Sequence, residues 1–428
     1  MGIFMKKYQL HQVFGVHTPP PGEKYPDVTY VDRAGLDARI RYYLNSGRHL
    51  VIFGPSKQGK TVLRQRAIED KDSIVIQCRS SNAKTSIYRE VLGRLEVYQE
   101  TGKEVGTGRE GSVEASLKGS AGLSGLIKGD AGLGGTASIS SEQKRSYKPF
   151  SQDVDDLSFV AQAIRDSGKK VVLEDFHYVN EEEKKSIAED LKNLLEYGVS
   201  LIIVGTWHDQ NMLGKYNGDL GSRFDEIDIT WEGEDLRKII ELGQIALNLT
   251  FSNPINEEII RDANGNVGLL QRILEELCIK EGLLETSSKL IAIKDIKSLD
   301  LARKAISYNA RNRYQQFGLA VYEGFPGSNP SMKNIYRRII QVCIETDEQE
   351  LLAGIPFSSF EQKIRSLDPT IQKAKLHDAL TRIDRLQNEK NIYPIIASYD
   401  QLNRMVNLID RELLFYRKYG GPKWPWED

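Results

Sequence analysis

An α/β fold is predicted for this chain: a parallel sheet covered by helices on both faces, then a helical lid and an α-rich, winged-helix-like carboxy-terminal domain. Three observations predict it. Apolar runs of strand length alternate with helical patterns between residues 49 and 230, as in successive β–α–β units. A glycine-rich turn joins the first such run to the first such helix. Beyond Glu232 the pattern becomes purely helical. At 428 residues the chain exceeds one comfortable core, so two or three domains are expected. The boundaries read as an arm and leading helix over 1–45, a core over 46–231, a lid over 232–300, a linker over 301–330 and a final domain over 331–428.

The elements follow in order. Pro19-Pro20-Pro21-Gly22 and Pro26 mark an extended arm, and a helix is expected from Leu36 to Asn45. Strand 49–54 leads to helix 60–70, and strand 73–79 to helix 84–98. Helix 154–166 precedes strand 170–175, helix 181–196 precedes strand 200–205, and strand 224–230 completes the sheet. Leu236, Ile239, Ile240 and Leu242, then Leu269, Leu270, Ile273, Leu274 and Leu277, recur at helical spacing. Residues 285–312 continue helical. Beyond the linker signal Gly324–Pro330, helices are expected at 333–345, 358–366 and 372–389. Strand-like pieces at 392–398 and 401–407 and a last helix through 408–419 complete the chain. Two readings stay open here: a winged helix, or a helical appendage without a wing.

Residues 102–141 stand apart, with glycine at 102, 106, 108, 111, 119, 122, 125, 129, 132, 134 and 135. That glycine load argues against a helix. Val113, Ala115 and Leu117 alternate with polar neighbours, so a projecting β-ribbon and a mobile loop both remain open.

Composition narrows the class. Charged residues make up 28% and hydrophobic ones 40% with a net charge of −2, a globular balance without an overall pull toward nucleic acid or membrane. Cys78, Cys278 and Cys343 are scattered, which excludes a disulfide framework or a cysteine-rich zinc site. Met1–Val13 lacks an apolar run, and no stretch approaches the ~18 apolar residues of a membrane span. A cytoplasmic location without a membrane partner is the expectation.

Gly54-Pro55-Ser56-Lys57-Gln58-Gly59-Lys60-Thr61 fits G-x-x-x-x-G-K-[ST] without a mismatch. It follows the apolar run Leu50–Phe53 and precedes a segment free of Gly and Pro, the context this phosphate loop requires. Successive backbone N–H groups of such a turn converge on one point, and the helix adds its positive end. Lys60 reaches the β- and γ-phosphates and the Thr61 hydroxyl ligates Mg²⁺. ATP and Mg²⁺ are therefore the expected cofactors, with GTP not distinguished by the sequence.

The companion element is Val171-Val172-Leu173-Glu174-Asp175-Phe176-His177. One acid at such a strand end holds Mg²⁺ and the other polarises the attacking water. By position Glu174 takes the metal and Asp175 the base. An alternative frame puts Asp175 on the metal, and either way slow turnover is expected. His177 reads as a neighbouring polar group and Trp207 as packing. Thr206, at the tip of the next strand, is the candidate for orienting water or reading the γ-phosphate. Arg223, opening the last strand, can reach the γ-phosphate of a neighbouring subunit, and Arg272 can reach back from the lid.

These residues resemble the AAA+ superfamily, within it the branch shared by replication initiators and signal-transduction (STAND-type) ATPases. The likeness covers residues 28–285 and includes Tyr30-Val31-Asp32-Arg33, Lys60 and Thr61, Glu174-Asp175, Thr206, Ser222-Arg223-Phe224 and the lid. Ser222-Arg223-Phe224 is similar to the box carrying the arginine finger in bacterial replication initiators. The resemblance implies an ATP-driven oligomerising switch, and some members of the branch act in phage defence. Other expectations compete with it. Lys373, Lys375, Arg382, Arg385 and Lys390 mark a candidate recognition helix for DNA, interrupted by Asp378, Asp384 and Glu389. The lack of a second catalytic constellation favours an adaptor that contacts a protein effector. A phosphate loop alone also permits a small-molecule kinase.

Overall fold

The computed structural model describes residues 6–16, 27–103, 126–128, 145–149, 154, 156–207, 212–401 and 403–427. Its centre is a five-stranded parallel sheet. The first part of the chain supplies α1 (Leu10–Phe14), α2 (Leu36–Leu44), β1 (His49–Phe53), α3 (Lys60–Ala67), β2 (Ser73–Gln77) and α4 (Lys84–Arg94). Then come β3 (Val97–Lys103), β4 (Leu126–Lys128), β5 (Arg145–Pro149), α5 (Leu157–Ser167), β6 (Lys170–Glu174), α6 (Glu181–Glu196), β7 (Leu201–Val204), α7 (Met212–Tyr216) and β8 (Phe224–Asp228). The strand order is β2-β6-β7-β1-β8, all parallel, with Leu50 opposite Ile202 and Asp225 in the register.

β1 is buried along its whole length because both sheet faces are covered. Its side chains alternate: Val51 and Phe53 pack with α4, α5 and α6, whereas Leu50 and Ile52 pack with α2 and α3. Helix starts carry their own signals. The Asp156 carboxylate accepts from the Ser158 and Phe159 amides, and Asn180 caps α6 ahead of three glutamates in the first turn. α4 stops at Arg94, short of the expected residue 98. From Val97 the backbone is extended, and β3 pairs antiparallel with β4 and β5. The alternating stretch Val113–Leu117 lies outside the described residues.

The lid comprises α8 (Gly233–Leu247), β9 (Leu249–Phe251), α9 (Asn253–Ala263), α10 (Val267–Lys280), β10 (Ile291–Ile293) and α11 (Ile296–Glu323). It is not purely helical, since β9 and β10 pair in parallel. The Pro-rich part of the arm is outside the described residues. Leu10–Phe14, expected as extended, is a helix whose Leu10, Val13 and Phe14 enter the lid core. The 301–330 linker is corrected too: α11 runs through it to Glu323. Leu299, Ala302 and Ile306 join the lid core, while Tyr314, Phe317 and Val321 join the next one. A helix anchored in two cores is a strut, not a tether.

The carboxy-terminal region holds α12 (Pro330–Glu345), α13 (Glu348–Ala353), β11 (Ile355–Pro356), α14 (Phe357–Leu367), α15 (Lys373–Thr381), α16 (Ile383–Glu389), β12 (Ala397–Asp400), β13 (Met405–Leu408) and α17 (Glu412–Tyr419). The strands form an antiparallel sheet in the order β11-β13-β12. The single helix expected over 372–389 breaks at Arg382. Its last helix spans two cores: Leu413, Leu414 and Tyr416 join the local one, while Phe415 and Tyr419 pack on the lid.

Candidate nucleotide-binding site

The site begins at the turn between β1 and α3. Gly54 has φ +141°, and a Cβ there would stand 2.8 Å from the Ile229 carbonyl oxygen. Only glycine lets the turn lie that close to the strand-end of β8. Gly59, in left-handed conformation, starts α3. The Lys60 ammonium donates to the Gly54 carbonyl at 3.0 Å and the Pro55 carbonyl at 2.6 Å, so its charge points into the turn. Burial lowers its pKa to about 8, against the opposing pull of Asp175 and Asp228.

The lid closes directly on this turn. Asn266 caps α10 by accepting from the Leu269 amide, and the Gly268 amide donates to the Lys57 carbonyl at 3.1 Å. A Cβ on Gly268 would meet the Lys57 Cβ at 2.8 Å. The Trp231 indole donates to the Gln58 carbonyl at 3.1 Å, and Arg33 lies over the Trp231 ring at 3.7 Å. Gln58 is itself buried, and its amide nitrogen and oxygen have no partner among the described residues.

The two acids at the end of β6 have opposite surroundings. Glu174 is buried and accepts from Arg64 Nε at 3.1 Å and from Gln77 Nε2 at 2.9 Å. Its carboxylate is thus neutralised by α3 and β2, which leaves it poorly placed for the expected metal role. Asp175 is exposed, at φ +57°; its backbone carbonyl accepts from the Tyr178 amide at 2.9 Å, while its carboxylate makes no hydrogen bond among the described residues. Burial and the neighbouring Glu174 raise its pKa, opposed by Lys60. His177 Nδ1 accepts from the Thr206 amide at 3.3 Å, tying the tips of β6 and β7 together. Burial, with Lys60 and Lys184 nearby, lowers its pKa to about 3, so the ring is neutral. Trp207 stacks on Phe53 at 6.1 Å, a packing role. Thr206 is buried beside the same strand tips.

Arg223 lies at the other edge of the sheet. It precedes β8, whereas the turn 54–59 sits where β1 and β8 end. Its guanidinium is 3.6 Å from Glu196 and partly exposed. It is therefore not brought to its own chain's phosphate turn. Arg272 is brought to the turn but engages a carboxylate, Glu412 at the start of α17, whose second oxygen takes Lys57. Sequence reasoning missed Glu412, because 140 residues separate it from Arg272 and no local pattern marks it.

No protein-family model and no curated relative matches the chain. Solved structures do. A Walker-type ATPase of Pyrococcus abyssi superposes with a TM-score of 0.53 over 95% of this chain and 99% of that one, at 11% identity. The fold is that of a P-loop ATPase. More distant overlays include the Orc1 protein of Aeropyrum pernix in complex with DNA, with a TM-score of 0.42 over 97% of each chain at 12% identity. The RuvB Holliday junction branch migration motor of Thermotoga maritima gives 0.36 over 91% of this chain and 96% of that one at 10% identity. At 11% identity the Pyrococcus abyssi likeness speaks to fold only. Among the described residues no helix is long and apolar enough to cross a membrane.

Proposed function

We propose that this P-loop ATPase fold belongs to an AAA+-type switch that binds ATP with Mg²⁺ and hydrolyses it slowly. One observation carries the reading: Lys60 lies within a glycine turn on which the lid is seated through Gly268. Gly54, Pro55, Ser56, Lys57, Gln58 and Gly59 supply the amide cradle, Lys60 the cation and Thr61 a hydroxyl for the metal. Hard oxygen donors suit Mg²⁺. Asp175, exposed and with a carboxylate that makes no hydrogen bond among the described residues, is the acid for the metal side, the alternative frame of the sequence reading. Glu174 then holds Arg64, which leaves no base beside Asp175 and motivates the slow turnover. Thr206 orients water from the neighbouring strand tip. Arg223, remote from its own turn, acts on the nucleotide of another copy and makes assembly part of the cycle. Calorimetry with ATP, ADP and GTP tests the reading, with Lys60→Ala as the comparison. No heat from any of the three on folded wild-type protein would end it.

A DNA-binding initiator-like reading stands second, supported by the winged-helix-like placing of the antiparallel sheet β11-β13-β12 among and after helices α12–α16. Against it, four of the five basic side chains of the candidate helix are already paired: Lys373 with Glu361, Arg382 with Asp378, Arg385 with Glu389 and Lys390 with Glu323. A salt-dependent gel shift lost on Lys375→Glu would favour it. A protein effector bound through 331–428 is the third possibility, tested by pull-down. The signal-transduction branch and phage defence gain nothing from the structural neighbours.

A further inference from the structure

The carboxy-terminal region lies across the same sheet edge as the phosphate turn. Tyr393 meets Tyr178 edge-on at 5.2 Å, Lys215 approaches Asp400 at 3.3 Å, and Arg411 donates to the Asn264 carbonyl at 3.2 Å. At the centre of this contact stand three consecutive charges, Asp410, Arg411 and Glu412. Asp410 is fully buried and accepts from the Tyr314 hydroxyl and from Arg313, both at 2.7 Å. Arg411 faces the lid and the Asp228 carboxylate. Glu412, 2% exposed, takes Lys57 on one oxygen and Arg272 on the other. Burial alone would raise the Glu412 pKa, but Lys57 and Arg272 outweigh it and hold the carboxylate below its usual range.

We propose that Glu412 competes with the nucleotide's polyphosphate for Arg272 and Lys57, so that nucleotide binding undocks α17 from the phosphate turn. The proposal rests on the nucleotide reading of residues 54–61 and goes beyond it by naming what the nucleotide displaces. One carboxylate cannot keep both cations while they neutralise a triphosphate. Once they turn to the phosphates, Glu412 is a buried anion without a partner beside a more highly charged anion. Both effects disfavour its position. Moving the start of α17 relieves them, and α17, like α11, joins the carboxy-terminal core to the lid. Linkage makes the effect reciprocal: whatever nucleotide binding costs the docked state, docking costs nucleotide binding.

The test uses the full-length chain, Mg-ATP titration and hydrogen exchange of residues 410–419. In wild type, ATP should speed exchange over α17. Glu412→Gln should bind ATP roughly ten-fold tighter, within the usual range of such couplings, and exchange fast with or without ATP. In the Glu412→Gln/Arg272→Ala double variant most of that gain should vanish, because the competed cation is gone. Unchanged affinity in Glu412→Gln overturns the proposal, as does α17 exchange that ATP leaves unmoved in a wild type that binds ATP. A wild type and a Glu412→Gln that both bind no nucleotide would instead overturn the underlying site. If Glu412→Gln does not fold, Lys57→Met removes one partner from an accessible position. Exchange at α17 should then rise without nucleotide, and unaltered exchange overturns the docking role.

Discussion

The two edges of the central sheet carry opposite kinds of site. At the carboxyl edge four separate segments converge: the turn 54–61, the acids of β6, the start of α10 and the Asp410–Glu412 turn. At the amino edge Arg223 pairs with Glu196 at 3.6 Å, partly in solvent. The first edge is built to hold charge within one chain. The second presents a partly exposed cation, the feature from which the contact with another copy is proposed.

Breaking the carboxyl edge should have the largest effect. Lys60→Ala is expected to lower ATP affinity by at least about 100-fold, the range of a lost charge-assisted contact at a desolvated site. The melting temperature should hold, since Lys60 bonds only to carbonyls of its own turn. Calorimetry and a thermal melt read the two quantities. Breaking the amino edge should separate binding from turnover. Arg223→Ala is expected to keep ATP affinity within about two-fold while hydrolysis in the assembled state falls by about 10³, the lower range for an arginine finger. Equal phosphate release by both proteins would return Arg223 to the surface.

The acids of β6 sharpen the contrast within one edge. Glu174→Gln strips the buried Arg64 of its buried carboxylate partner, leaving it the exposed Asp70, and should cost about 3 kcal/mol of stability in denaturant unfolding. Asp175→Asn should leave unfolding nearly unchanged and slow hydrolysis while ATP stays bound. Swapped outcomes would restore the Glu174-on-metal frame.

Smaller effects come from pH. In the free protein Lys60 loses its proton near pH 8, and only the ammonium form neutralises phosphate. ATP affinity should therefore weaken as pH rises through 8, by up to about ten-fold per unit. At the amino edge His49 accepts from the Leu201 amide and bonds the Leu191 carbonyl, and burial lowers its pKa to about 4 from 6.5. The unfolded chain binds that proton first, so this contribution to stability is full above pH 6.5 and is lost as pH falls toward 4. Melts across that window in wild type and His49→Gln should diverge.

Much of the fold and part of the site could be read from residues close together in the chain. The turn 54–61, β1, β6 and α6 each carry their full signal within a few residues, since apolar period, caps and glycines act locally. Two kinds of piece stand out among those that escaped. β9, β10 and β11 are two or three residues long, too short for a period, and exist only because a partner strand is present. The break at Arg382 interrupts one apolar pattern without a Gly or Pro to announce it.

By itself the sequence determined where phosphate chemistry is possible, because a nest of amides needs glycines at a fixed short spacing and a following helix. Only the tertiary structure decided which charges are free to serve it. Arg64 pairs with Glu174 across 110 residues, and Arg272 with Glu412 across 140. A charge acts through what stands next to it in space, and chain order does not record those neighbours.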